Sequence, residues 1–269
     1  MLDWFTALVL GIVEGITEFL PVSSTGHLIL AGALLDYRGP QAVAVEIVIQ
    51  GAAILAVCWE YRPMLAHTAL TFMHEPASRR FLINLMLGFL PLALLGLAFK
   101  DVIEQRLFRP LPVAIALIVG GVLILLVDRR EDRATLQLAD DVRPHTAFRL
   151  GLWQALALFP GTSRAAATII GGVLMGMSRR LATEYSFFLA IPTLLAATAY
   201  KLLESRALFT TDTLGPLLLS AAFAFITALV AVRAFIRYVS SHSFAAFAWY
   251  RIVFGAVVIL TWATGWVSW

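Results

Sequence analysis

Four ionisable side chains stand inside otherwise apolar sequence: Glu14, Glu18 and His27 near the start of the chain, and Arg164 past its middle. Beside them runs a proline-centred, hydroxyl-rich motif that occurs twice, as Pro21-Val22-Ser23-Ser24 and as Pro160-Gly161-Thr162-Ser163. Charge is expensive inside a membrane, and where it persists it marks a working site. These residue types suit an anion. Ser23, Ser24, Thr25, Thr162, Ser163 and Thr168 bring hydroxyl donors, the helix starts after Pro21 and Pro160-Gly161 bring backbone amides, and the planar Arg164 fork matches a phosphate. Glu14 and Glu18 lie one helical turn apart on one face, where they can hold a divalent cation or act as acid and base. His27 can carry a proton or attack phosphorus itself. Cationic, acidic and nucleophilic groups together are the equipment of phosphoryl transfer.

Composition says what must position them. Of 269 residues, 60% are hydrophobic and only 14% charged, and the mean hydropathy is +0.86, which excludes an ordinary soluble domain and describes an integral membrane protein. The basic residues behind the net charge of +3 are scattered between apolar segments, so they point to membrane topology and not to nucleic acid. The N-terminal Met1-Leu2-Asp3-Trp4 has no basic stretch before its apolar run, so no cleaved signal is expected. Cys58, the single cysteine, reads as a small packing residue.

Six stretches, near 41–60, 81–99, 111–127, 183–203, 215–237 and 246–267, are long enough to cross a bilayer core of about 30 Å as helices. Two further regions are interrupted: 2–19 and 22–36 by Pro21, and 147–159 and 162–177 by Pro160-Gly161. Each reads as a re-entrant hairpin of two half-helices around a break, and such backbone survives at membrane depth only when protein or water covers it. The expectation is an all-α membrane protein with an inverted-topology repeat, in which 1–269 form one membrane domain. Repeat one covers about 1–127 with its hairpin at 2–36, the connector is 128–146, and repeat two covers about 147–269 with its hairpin at 147–177. Three spans after each hairpin, an odd number, turn the second copy upside down. Arginines at 62, 79, 80, 129, 130, 133, 143, 149, 179, 180, 233 and 237 fall on one side of this model, against a smaller set that includes Arg38, Lys100, Arg106 and Lys201. The arginine-rich side is expected to be cytoplasmic, with the connector solvated there.

Plainer roles are expected elsewhere. Hydroxyls in apolar helices often bond their own backbone, and His67, His74, His145 and His242 read as solvated loop residues. Glu46 and Glu184, which open corresponding spans, either cap them or complete the site. Tyr250 and Arg251 read as interface anchors, and Gly120-Gly121 and Gly171-Gly172 as close helix contacts.

The run from Glu14 to Leu28, Glu-Gly-Ile-Thr-Glu-Phe-Leu-Pro-Val-Ser-Ser-Thr-Gly-His-Leu, and the run Pro160-Gly161-Thr162-Ser163-Arg164-Ala165-Ala166-Ala167-Thr168 resemble the two signatures of the bacterial undecaprenyl-diphosphate phosphatases, the bacitracin-resistance family. The resemblance covers essentially the whole chain. In the second signature, Ala165 and Ala166 stand where the family usually has Ser and Gly. The resemblance implies hydrolysis of undecaprenyl diphosphate to the monophosphate and inorganic phosphate, which recycles the carrier for envelope polysaccharides. It implies that Arg164 grips the diphosphate, that Ser24, Ser163 and Thr168 bond its oxygens, and that Glu18, assisted by Glu14, works with Mg2+ or Ca2+ or as acid and base. His27, Ser24 and water remain open as the nucleophile. The implied partners are a long-chain prenyl diphosphate and the bilayer, with a homodimer left open. The implied location is the bacterial cytoplasmic membrane, with the site opening outward. A lipid transporter or flippase is the alternative, because inverted repeats with broken helices are a transporter architecture.

Overall fold

The computed structural model describes residues 2–107, 109–129, 134–209 and 211–267. Its α-helices are α1 (Trp4–Thr17), α2 (Ser24–Leu34), α3 (Pro40–Glu60), α4 (Arg62–Thr71), α5 (Pro76–Arg106), α6 (Pro110–Asp128), α7 (Pro144–Ala155), α8 (Arg164–Leu174), α9 (Arg179–Glu204), α10 (Thr211–Val239) and α11 (Ala245–Thr264). Local chemistry sets where they begin. Proline stands in the first turn of α3, α4, α5, α6 and α7, where its missing N–H has no helical partner to lose. Asp3 caps α1 by accepting the Phe5 and Thr6 amides at 2.9 Å each.

Among the described residues six helices, α3, α5, α6, α9, α10 and α11, are long and apolar enough to cross a membrane. The chain is a multi-pass, all-α membrane protein, and these are the six spans expected from its sequence. α2 and α8 have 11 residues each, roughly 16 Å of helix and only about half a bilayer core. Both interrupted regions are therefore broken where their prolines stand. α4 lies in a segment read as a plain loop. Two spans also outrun their apolar stretch, α5 starting at Pro76 and α9 at Arg179, because a helix need not end where the lipid does. Arg130 and Arg133, counted above in the loop charge, lie outside the described residues.

Packing follows small residues, as expected where lipid is as apolar as any side chain. α1 lies along α10, with Gly11 against the Ser220 carbonyl and Gly15 against Ala224 and Thr227. α7 lies along α5, Gly151 against the backbone of Gly88, and α11 along α6, Gly255 against the Ala114 carbonyl. Gly171 and Gly172 give close contacts to Trp153 and Ala182. A half-buried ion pair joins three helix ends: Asp128 accepts Arg179 Nε at 2.7 Å and the Phe244 amide at 3.1 Å. The connector is docked as well as solvated. Thr135 and Leu136 donate to the Gly176 carbonyl at 2.8 and 2.9 Å, and Asn84 donates to the Val142 carbonyl at 2.8 Å.

A Cβ on Gly151 would sit 2.6 Å from the Gly88 carbonyl oxygen. Gly151→Val should therefore push α7 off α5 and cost about 1–3 kcal/mol, read as a lower midpoint of thermal unfolding in detergent; an unchanged midpoint would contradict this packing.

Candidate active site

Each break places one half of a polar cluster. α1 ends at Thr17, and the amide of its cap, Glu18, still donates to the Glu14 carbonyl at 2.9 Å. The chain then turns through Phe19–Val22 and re-enters helix at Ser24, with Ser23 as the cap. Ser23 has φ +72° and Ser163, the cap of α8, has φ +69°. That region costs an ordinary residue about 1–2 kcal/mol, and each serine offsets part of it by accepting an amide three residues on, Gly26 at 3.4 Å and Ala166 at 3.2 Å. Both tips are thus held in the same strained turn, and strain of this kind gathers at functional sites.

The turns bring Glu18, Ser24 and Arg164 together. The Ser24 hydroxyl donates to Glu18 Oε2 at 2.5 Å, and Arg164 Nη2 donates to Glu18 Oε1 at 3.4 Å. Arg164 Nη1 donates to the Ser186 carbonyl at 3.0 Å. The ion pair is buried, with side chains 7% and 6% exposed for Arg164 and Glu18. Beneath it the Thr168 hydroxyl donates to the Arg164 carbonyl at 2.9 Å and lies 2.6 Å from the Ser186 hydroxyl. Thr168 therefore braces Arg164 from its own helix. Ser186 was not anticipated, since one serine within an apolar span carries no signal of its own.

Three buried atoms in this cluster lack a hydrogen-bond partner among the described residues: both carboxylate oxygens of Glu14, and Nε of Arg164. Buried polar atoms are normally satisfied, so each invites a ligand. Glu14 is fully buried and feels the charges of Glu18, Glu46 and Arg164. The unpartnered guanidinium nitrogen is a spare donor for an anion, and the unpartnered oxygens are spare ligands for a hard cation. No group of three or more His, Cys, Asp or Glu among the described residues is arranged to hold a metal ion. Glu14 with Glu18 therefore fits a divalent cation only as part of a shell that phosphate oxygens and water would complete.

His27 stands apart from the carboxylates. Its Nδ1 lies 2.8 Å from the Ser23 carbonyl and its Nε2 2.6 Å from the Tyr250 hydroxyl, and its ring stacks on Phe254 at 4.3 Å. The carbonyl accepts, so Nδ1 carries a proton, and Nε2 is engaged by Tyr250. Neither nitrogen is bonded to Ser24. Thr25, Thr162 and Ser163 are half-buried at the tips, while Ser23 and Gly161 are buried. Ala165 and Ala166 pack into the core, so a serine there would be facing apolar side chains. Glu184 pairs with Arg180 at 3.1 Å across one turn inside α9, whose cap is Ser178, so it neither caps its span nor joins a tip.

Two further expectations change. Arg251 is not an interface anchor: it is fully buried and donates to the Pro21 carbonyl at 3.1 Å and the Gly161 carbonyl at 3.0 Å, one from each tip. Tyr250 is half-exposed but holds His27. Both were misread because apolar periodicity near a span's end cannot separate an inward face from the membrane interface. Gly120 makes room for the Arg251 guanidinium, while Gly121 meets the Ala248 carbonyl.

Residues 7–257 match the family model described as bacitracin resistance protein BacA. The chain is similar to the undecaprenyl-diphosphatase of Dechloromonas aromatica (strain RCB), 54% identical over 263 residues that cover 98% of this chain and 96% of that protein. It is 53% identical over 271 residues to the undecaprenyl-diphosphatase of Nitrosomonas eutropha, covering 100% and 99%. The undecaprenyl-diphosphatase of Pseudomonas putida (strain F1 of that species) is 49% identical over 265 residues, covering 98% and 96%.

Because neither Glu14 oxygen has a hydrogen-bond partner among the described residues, Glu14→Gln should leave thermal stability unchanged or raised by up to about 2 kcal/mol. A lowered unfolding midpoint in detergent would show that Glu14 holds the fold together.

Proposed function

The chain belongs to the bacitracin resistance protein BacA family, and from that membership we propose that it hydrolyses undecaprenyl diphosphate to undecaprenyl phosphate and inorganic phosphate. This returns the lipid carrier to cell-wall synthesis and underlies resistance to bacitracin. The observation that carries the reading is the Ser24–Glu18–Arg164 cluster: a hydroxyl whose proton already points at a carboxylate, beside a guanidinium with a donor to spare.

In this reading the diphosphate enters between the tips and takes the unpaired donor of Arg164, with Thr25, Thr162 and Ser163 at its oxygens. Ser24 Oγ attacks the terminal phosphorus while its proton passes to Glu18 Oε2. The bond from that phosphorus to the bridging oxygen breaks, and the electron pair leaves with undecaprenyl phosphate. Arg164 faces the charge that develops there. Water then attacks the phosphoserine, Glu18 returns its stored proton to the serine oxygen as that P–O bond breaks, and both protons of the water leave with the departing phosphate. His27, held by Tyr250 and the Ser23 carbonyl, fixes the backbone that presents Ser24 and serves as a positioning group. Glu14 and Glu18 would hold Mg2+ or Ca2+, and such an ion would supply neutralisation of phosphate charge.

The inverted repeat belongs to the same reading. Thr6-Ala7, Leu10-Gly11 and Ser23 recur in order as Thr146-Ala147, Leu150-Gly151 and Ser163. The pairing of α1 with α10 is matched by that of α7 with α5. Loop arginines support a cytoplasmic position for the ends of α3 and α6, and in this reading the protein lies in the cytoplasmic membrane with its site open to the outer face.

Purified protein should release phosphate from undecaprenyl diphosphate. Arg164→Lys, which keeps charge but loses the fork, should lower kcat/KM by about 100-fold or more. Wild-type turnover by that variant would contradict the role of Arg164, and no phosphate from the parent protein would contradict the activity and leave a carrier.

A further inference from the structure

Arg251 is the one fully buried arginine among the described residues, and every hydrogen bond it makes is to a backbone carbonyl. Nε donates to Leu117 at 3.2 Å and Nη2 to Ala116 at 3.1 Å, both on α6. Nη1 donates to Pro21 at 3.1 Å, and Nη2 also donates to Gly161 at 3.0 Å. No carboxylate is bonded to it among the described residues. An arginine buried in this way is costly, and well-packed apolar residues would be the cheaper choice for stability alone. Its carbonyl partners explain its retention better than stability does.

Pro21 and Gly161 sit at the two breaks, where the chain has left one half-helix and not yet begun the next, so their carbonyls have no helical donor. A single rigid guanidinium satisfies both at once. The other end of the fork is fixed on α6, where Gly120 leaves room that any side chain would fill. The geometry points to a clamp: we propose that Arg251 is a positioning residue that fixes the separation of the two tips, and through it the alignment of Arg164 with Glu18 and Ser24. The residue before it acts on the same hairpin, since Tyr250 holds His27. α11 thereby registers the site without contributing a group to the cluster. Lysine cannot replace the fork, because its donors radiate from one point and cannot span carbonyls on separate segments.

This inference rests on the phosphatase reading above. The test uses the full-length protein in detergent or lipid, with Arg251→Lys and Arg251→Gln measured for phosphate release from undecaprenyl diphosphate. Misalignment should lower kcat by about 100-fold with KM within about threefold of the parent. In a Cys58→Ser protein, spin labels at Ile16→Cys and Phe159→Cys, both exposed positions flanking the tips, should give one narrow distance distribution that broadens or shifts when Arg251 is replaced. Should Arg251→Gln fail to fold, the lysine variant carries both measurements. Either kcat within twofold of the parent or an unchanged label distance overturns the clamp, as does a loss of activity that lies wholly in KM. An inactive parent protein would instead overturn the phosphatase reading.

Discussion

The ion pair between Arg164 and Glu18 is the interaction on which the rest of the structure depends. It joins the first residue of one half-helix to the residue that caps the end of another, deep in a protein whose surroundings are hydrocarbon, and each charge would be prohibitive alone. Everything near it serves to hold the two partners at the right place. The Ser186 carbonyl accepts from the guanidinium, Thr168 holds the Arg164 carbonyl, and Ser24 takes the second oxygen of the carboxylate. The cluster is nevertheless incomplete as a closed structural motif. Among the described residues Glu14 and one nitrogen of Arg164 are left unsatisfied, which is how a site that must exchange its own contacts for those of a substrate is built.

The two halves of this arrangement are made by the same device and carry different chemistry. Each tip ends in a serine forced into a left-handed turn and a helix that starts one residue later. Under the proposed repeat, Ser24 corresponds to Arg164 and Glu14 to Gln154. Gln154 spends its side chain on the Gly88 carbonyl at 3.0 Å, so in that copy the position is structural. The two breaks thus provide one acidic, hydroxyl-bearing tip and one cationic tip, and the proposed function lies in their apposition.

Much of the fold was legible in the sequence because membrane solvation is a blunt constraint. A stretch of apolar residues near bilayer length must be helical, and a proline inside a polar interruption must break it, so the spans and both breaks follow from composition alone. Glu18, Ser24 and Arg164 were legible for the complementary reason, as polar groups where lipid-compatible sequence should have none. Their pairing was not, since Glu18 and Arg164 are far apart in the chain and only the folded tips bring them together. Arg251 and Ser186 escaped because each lies in a span whose residues are inward or outward depending on neighbours that periodicity does not name. His27 was legible as a notable residue but its hydrogen-bond partner was not, because Tyr250 belongs to the last helix. α4 was missed since its ten residues mix polar and apolar side chains without a clear period.

A double-mutant cycle on Glu18→Gln and Arg164→Lys, read as phosphate release from undecaprenyl diphosphate, tests most directly whether the two tips form one site. If they act as a unit, the double variant should lose little more activity than the more damaging single variant. Losses that multiply would mean that the tips act independently and would contradict the account.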